Sequence, residues 1–270
     1  MMRFGYDAGG TAATSDRSAG VVPPLDGAVA TNAAVVWLCW GEKYLREAQA
    51  SALTTMPLGI DRLLITDADT AELVEPDGIF TEVIPAELPY GSNINKSRLI
   101  DLIPERYESI LYLDSDTKVI GDVSLGFEKA RQHGIAIVPA PHYNLGEFFG
   151  FDRVLTQLGL KSAGQMQYNA GVIFCHLSDE VRKVLSHWRD LCHDAAQEWT
   201  NDQPFLTLAF EQSGFQPYVL SPLYNYRSLG ELAVGQIRVW HSHHLPPPDL
   251  NDDEAAWPPR RFQDGVRVPW

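Results

Sequence analysis

From Ala33 onward, short continuous apolar runs alternate with longer stretches in which apolar residues recur every three or four positions. Residues 33–40, AAVVWLCW, are unbroken apolar sequence, as expected of a strand buried on both faces. In residues 42–56, Tyr44, Leu45, Ala48, Ala52 and Leu53 fall at helical spacing. Residues 61–66 and 80–85 read as strands, and 69–75 as a short helix or loop. Residues 95–107 predict a helix, with Ser92 or Asn93 as its cap. Two short strands then flank a polar break within 109–123. A helix is expected over 125–133, a strand over 135–140, a helix over 151–159 and a strand over 168–177. An amphipathic helix over 179–198 follows, then a helix through Phe210 capped by Asn201 or Asp202, and late strands at 215–220 and 236–240.

This alternation predicts a single α/β domain with a mostly parallel mixed central sheet flanked by helices. Ligands of such sheets bind beyond the carboxyl ends of the strands. Residues 1–32 lack periodicity and read as a flexible N-terminal tail, residues 33–245 as the folded domain, and residues 246–270 as a Pro-rich segment packing on it.

Composition narrows the partners. A 45% hydrophobic and 21% charged chain is ordinary for a globular protein. Its net charge of −14 disfavours a nucleic-acid partner, which needs clustered Lys and Arg. No apolar run approaches the roughly 20 residues that span a bilayer, and the first residues lack the apolar core of a secretory leader. Cys39, Cys175 and Cys192 are odd in number and show neither a disulfide framework nor zinc spacing, so a reducing cytoplasm is expected.

Two apolar strands run into Asp-x-Asp, at Asp67–Asp69 and at Asp114–Asp116. Carboxylates one residue apart at a strand exit can both turn toward a divalent ion and leave positions open for phosphate oxygens. Asp114, Ser115 and Asp116 fit better, because an apolar stretch resumes directly after them and places the break inside the sheet. Asp67 is expected at the same edge, near a base or ribose. Phosphatases of the haloacid dehalogenase type also carry Asp-x-Asp after a strand, usually the first, followed by x-Thr or x-Val. Lys118 stands where that pattern wants Thr or Val, and at least three strands come earlier.

The ordered set SRLIDLIPERYESILYLDSDTKVIGDV, YNAGVIFCHL, NDQPF and a strand ending in His241 resembles glycosyltransferase family 8. That family includes glycogenin and lipooligosaccharide galactosyltransferases. The resemblance covers about residues 33–244 and implies a GT-A (Rossmann-like) fold. It implies transfer of a sugar from a nucleoside-diphosphate sugar, UDP favoured, to an acceptor hydroxyl with retention, using Mn²⁺ or Mg²⁺. By resemblance the metal ligands are Asp114, Asp116 and His241, with His243 a rival. Arg98 lies near the donor phosphates and Asp67 near the base. Asn169 with the Ala170–Gly171 backbone walls the sugar pocket, and Asp202 and Gln203 face the transferred sugar. The family's usual Gly and Lys-Pro-Trp after the histidine are replaced by Ser242-His243-His244-Leu245-Pro246, which leaves Lys96, His243 or His244 to neutralise phosphate. The acceptor is a glycan, protein or small molecule. A nucleotidyltransferase of similar fold and an inactive sugar-nucleotide or glycan binding protein are the rival readings. The stretch 40–43 is too poor in Gly and charge for the first, and the intact Asp114, Asp116 and following His speak against the second.

Overall fold

The computed structural model describes residues 22–25, 32–76, 78–248, 250–251 and 259–269. Its strands are β1 (Ala33–Leu38), β2 (Asp61–Thr66), β3 (Glu82–Pro85), β4 (Ser109–Leu113), β5 (Thr117–Val119), β6 (Ile135–Asn144), β7 (Met166–His176), β8 (Tyr218–Val219), β9 (Tyr226–Arg227), β10 (Leu229–Ala233), β11 (Val239–His241), β12 (Arg260–Gln263) and β13 (Val266–Val268). The helices are α1 (Glu42–Thr55), α2 (Ala68–Ala71), α3 (Leu99–Leu102), α4 (Ser124–His133), α5 (Phe151–Gln157), α6 (Asp179–Ala195) and α7 (Gln203–Ser213).

The main sheet runs β3-β2-β1-β4-β7-β6-β8. Strands β3, β2, β1 and β4 are parallel, β7 is antiparallel to both β4 and β6, and β8 is parallel to β6, so the expected α/β architecture is present. All six residues of β1 are buried. Ala34, Val36 and Leu38 join one core layer, while Ala33, Val35 and Trp37 join the other. That is what the unbroken apolar run predicts for a strand covered on both faces. In α6, Ser178 accepts from the Val181 N–H, and Val181, Val184, Leu185, Trp188, Leu191, Cys192 and Ala195 form the buried stripe. Among the described residues no helix is long and apolar enough to cross a membrane.

Three expectations change. The helix expected over 95–107 is a 3₁₀ turn (Asn93–Arg98) followed by the single turn α3. Ile103 is already extended, because the ring of Pro104 disfavours helical backbone in the residue before it. The tail expectation lies mostly outside the described residues, but Val22 and Leu25 are buried in the Trp37 layer, and the Leu25 N–H donates to Leu58 O at 3.2 Å. The C-terminal segment, read only as Pro-rich sequence packing on the domain, contains two further strands: β12 and β13 form a hairpin that pairs with β10.

Helix α4 carries a glycine where helix propensity alone would prefer alanine. A Cβ on Gly126 would lie 2.5 Å from Cε1 and Cζ of the buried Phe174. Phe174 is itself wedged edge-on against Phe127, with ring centroids 5.3 Å apart. Propensity predicts that Gly126→Ala stabilises by about 1 kcal/mol. The packing predicts the opposite sign, a loss of about 1–3 kcal/mol. Urea unfolding should show a lower midpoint for Gly126→Ala, with Phe174→Leu in the same chain recovering part of it.

Candidate active site at the carboxyl edge of the sheet

Strand β4 ends at Leu113, and Asp114 leaves the sheet at the carboxyl edge shared by β1 and β4. Its N–H donates to Gly171 O at 2.9 Å. Its carbonyl accepts from the Thr117 N–H at 3.1 Å and the Thr117 hydroxyl at 2.7 Å, closing a tight turn. That turn is buttressed from behind: Trp37 Nε1 donates to Ser51 Oγ at 2.9 Å, and Ser51 Oγ stands 3.2 Å from Thr117 Oγ1. The chain then continues as β5 in a separate three-stranded sheet, β5-β11-β9, so the break expected inside the main sheet lies at its edge. Strand β5 pairs antiparallel with β11, and Thr117 faces His241 across that ladder.

This pairing gathers Asp114, Asp116 and His241, whose ligand atoms lie within 4.8 Å of one another. His241 Nε2 is 3.3 Å from Asp116 Oδ1 and 3.8 Å from Asp114 Oδ2. Gly171 backs the group so closely that a Cβ there would strike His241 Cε1 and stand 2.8 Å from Asp114 Oδ2. Two carboxylates and one imidazole, aimed at one point and with no side chain behind them, fit a divalent ion. His243 is more exposed, and its Nδ1 bonds to Glu47 Oε1 at 3.1 Å while standing 3.8 Å from Asp116 Oδ2. Among the described residues, the three-ligand cluster therefore contains His241 and not His243.

The two oxygens of Asp114 have separate partners. Oδ1 accepts from Tyr112 OH at 2.8 Å and pairs with Lys96 Nζ at 2.7 Å, while Oδ2 turns toward His241. Lys96 is buried, stands 3.7 Å from Asp202 Oδ2 and lies over the Tyr112 ring. Burial works against its charge, but Asp114 and Asp202 outweigh that and keep the ammonium protonated. Asp116 is also buried enough to resist ionisation, yet His241 and His243 hold its carboxyl well below the usual range. Burial would lower the His241 pKa, but Asp116 and Asp114 raise it overall.

These groups lie at one side of a cleft of about 420 Å³ lined by Cys39, Trp40, Tyr44, Asn93, Lys96, Tyr112, Asp114, Ser115, Asp116, His241 and His243. Asn169, Asp202 and Gln203 sit behind it, tied together through the backbone. Asn169 Oδ1 accepts from the Gly171 N–H at 2.9 Å, and Gln203 Oε1 accepts from the Ala170 N–H at 3.2 Å. Asp202 does not cap α7 with its side chain; Asn201 Oδ1 takes the Gln203 N–H instead, at 2.9 Å. The Asp202 carboxylate is left for Lys96, with Oδ2 buried and otherwise unbonded. Burial is the main cause that pushes its pKa up to about 6.

Two expected donor residues are placed elsewhere. Arg98 donates to Glu87 O and borders a separate cavity with Tyr90, Ser97, Arg189, Asp190 and His193. In a 3₁₀ turn, residues three apart share a face, so Asn93 and Lys96 point into the cleft and Arg98 does not. Asp67 accepts from the Thr70 N–H at 2.9 Å as the cap of α2 and does not line the cleft. Sequence reading missed Tyr112, Glu47 and Asn225. Tyr112 had a signal, since two residues before Asp114 on a strand is the same face.

Asp202 generates a pH prediction. Its folded pKa lies above its ordinary value of 3.8, so the folded state takes up a proton and loses stability as pH rises through about 4 to 6. Asp202→Asn removes that ionisation. Relative to the parent it should gain on the order of 2–3 kcal/mol above pH 6 and gain nothing below pH 4, read from urea midpoints across pH. A gain independent of pH would refute the assignment. If the group holds a divalent ion, Gly171→Ala should lower its affinity by at least about tenfold by displacing the His241 ring, read by calorimetric titration.

No protein-family model matches the chain, and no curated protein matches it. Solved structures do. A galactosyltransferase, LgtC, in complex with donor and acceptor sugar analogs is similar over 83% of this chain and 92% of its own, with a TM-score of 0.57 and 14% identity. Mouse xyloside xylosyltransferase 1 is similar over 77% of this chain and 96% of its own, with a TM-score of 0.51 and 13% identity. The bifunctional glycosyltransferase WbbM matches 78% of this chain over 40% of its own, with a TM-score of 0.51 and 15% identity. The chain thus has the GT-A fold of family 8-type glycosyltransferases.

Proposed function

We propose that this protein is a metal-dependent glycosyltransferase that moves a sugar from a nucleoside-diphosphate sugar, UDP favoured, to an acceptor hydroxyl with retention. The observation that carries the reading is the convergence of Asp114, Asp116 and His241 at the carboxyl edge of the sheet, beside the Lys96–Asp202 pair. LgtC, similar in fold, was solved with donor and acceptor sugar analogs, which supports a donor and an acceptor for this cleft. Bound to Asp114 Oδ2, Asp116 and His241, a Mn²⁺ or Mg²⁺ ion would supply Lewis acidity to the departing diphosphate.

The chain's own groups do the rest. Lys96 adds a fixed positive charge beside Asp114, where negative charge gathers on the leaving group. His243, at the cleft mouth and held by Glu47, replaces the missing lysine as a phosphate contact. Asp202, with its free buried oxygen, positions the transferred sugar together with Asn169 and Gln203 while the reacting carbon gains oxocarbenium character. The three free, buried cysteines suit a reducing cytoplasm.

Incubation with UDP-, GDP- and TDP-sugars plus Mn²⁺ tests this by nucleoside-diphosphate release. At least one donor should be turned over, if only as slow hydrolysis. EDTA should abolish the activity, and Asp114→Ala should lower it by at least about 100-fold. Release of pyrophosphate from a nucleoside triphosphate would instead identify a nucleotidyltransferase. No turnover of any donor, with Asp114→Ala binding donors as tightly as the parent, would end the proposal.

A further inference from the structure

The ring of His241 is held on three sides, and one of its holders is a residue from a distant segment. Asn225 follows the 3₁₀ turn Pro222–Tyr224, its N–H donating to Pro222 O at 3.0 Å. It immediately precedes β9, which pairs in parallel with β11 so that Arg227 faces His241. This places Asn225 Oδ1 2.7 Å from His241 Nδ1. The Gly171 backbone meets the ring at Cε1, and the carboxylates of Asp116 and Asp114 face Nε2.

Asn225 is 3% exposed, and its amide nitrogen has no hydrogen-bond partner. Burying an amide with an unmade bond costs on the order of 1–3 kcal/mol.

We propose that Asn225 is the positioning residue of His241, its Oδ1 accepting the Nδ1 proton so that Nε2 is turned, with its lone pair available, toward Asp114 and Asp116. A neutral imidazole carries one proton, and the bond made by one nitrogen decides which nitrogen can ligate. The proposal deepens the metal-dependent reading and relies on it only for the consequence at Nε2. It also separates the two histidines: His243 Nδ1 is directed by the exposed Glu47 contact, whereas His241 is fixed by a buried, uncharged acceptor.

The test is long-range ¹H–¹⁵N correlation on the metal-free protein, with His241 assigned by comparison with His241→Gln, followed by Mn²⁺ titration. In the parent, Nδ1 should stay protonated on both sides of the ring's titration. Asn225→Leu should move the neutral ring toward the Nε2–H tautomer and weaken Mn²⁺ binding about 10–100-fold. Asn225→Asp keeps an acceptor at the same place, so it should keep the Nδ1 proton and bind Mn²⁺ within about tenfold of the parent. A neutral parent ring protonated on Nε2 would overturn the proposal, and the parent spectrum decides this even if Asn225→Leu does not fold. So would an Asn225→Leu variant with unchanged tautomer and unchanged Mn²⁺ affinity. A parent that holds the Nδ1 proton yet binds no Mn²⁺ supports the role of Asn225 and overturns the metal-dependent reading instead.

Discussion

Asp114 and Asp202 are brought to the same place by elements far apart in the chain, and Lys96 stands between them. Its ammonium is 2.7 Å from one carboxylate and 3.7 Å from the other. Burying charge in this way is costly unless the charges are paired. Much of the local structure follows from the need to deliver that lysine. The 3₁₀ winding of Asn93–Arg98 turns Lys96 inward, Pro104 ends the segment after one α-helical turn, and Asn201 takes over the cap of α7 so that Asp202 faces the lysine. The rise of the Asp202 pKa to about 6 shows that the pairing offsets burial only in part.

Legibility of the site in the sequence depended on whether a local pattern or a tertiary contact decided each residue. Asp114 and Asp116 were legible because an apolar strand runs into them, although the stretch that resumes does not rejoin the main sheet, as that reading expected, but starts a second one. The choice of His241 over His243 rested on the strand before it; His241 lies within β11, opposite Thr117. Lys96 against Arg98 was a different matter. The two lie on opposite faces of the turn, and which face meets the cleft is set by tertiary packing that apolar spacing does not encode. Asn201 and Asp202 are both good caps, so sequence could not say which side chain would be released. Asn225 belongs to no motif, and only the parallel pairing of β9 with β11 brings it to the imidazole.

The C-terminal segment shows a signal that was present and overlooked. Asp264-Gly265 lies between the alternating stretches Arg260–Gln263 and Val266–Val268, the pattern of a two-residue hairpin turn. Both turn residues have positive φ, 48° and 81°, as such a turn requires. The hairpin matters because Gly265 packs against His244, where a Cβ would lie 2.8 Å from the histidine Cβ, and Trp240 Nε1 donates to His244 O at 2.8 Å. The backbone that follows His241 is therefore pinned from two sides, which steadies a ligand carried on a three-residue strand.

The division of Asp114 between its two oxygens settles how a lysine and a metal ion can share one carboxylate. Were Lys96 bonded to Oδ2, it would occupy the position facing His241, and an ion would have to displace it. Instead Tyr112 and Lys96 both take Oδ1, leaving Oδ2 on the side of His241 and Asp116. With Asp114, Asp116 and Asp202 ionised, the lysine and a divalent ion together balance their charge. Without the ion, two negative charges remain, and the raised pKa of His241 follows directly, since a protonated imidazole offsets part of that excess. Protonation of His241 and binding of a cation are then alternative answers to the same electrostatic demand. The strong local negative potential that favours the proton would equally favour a cation beside the two carboxylates.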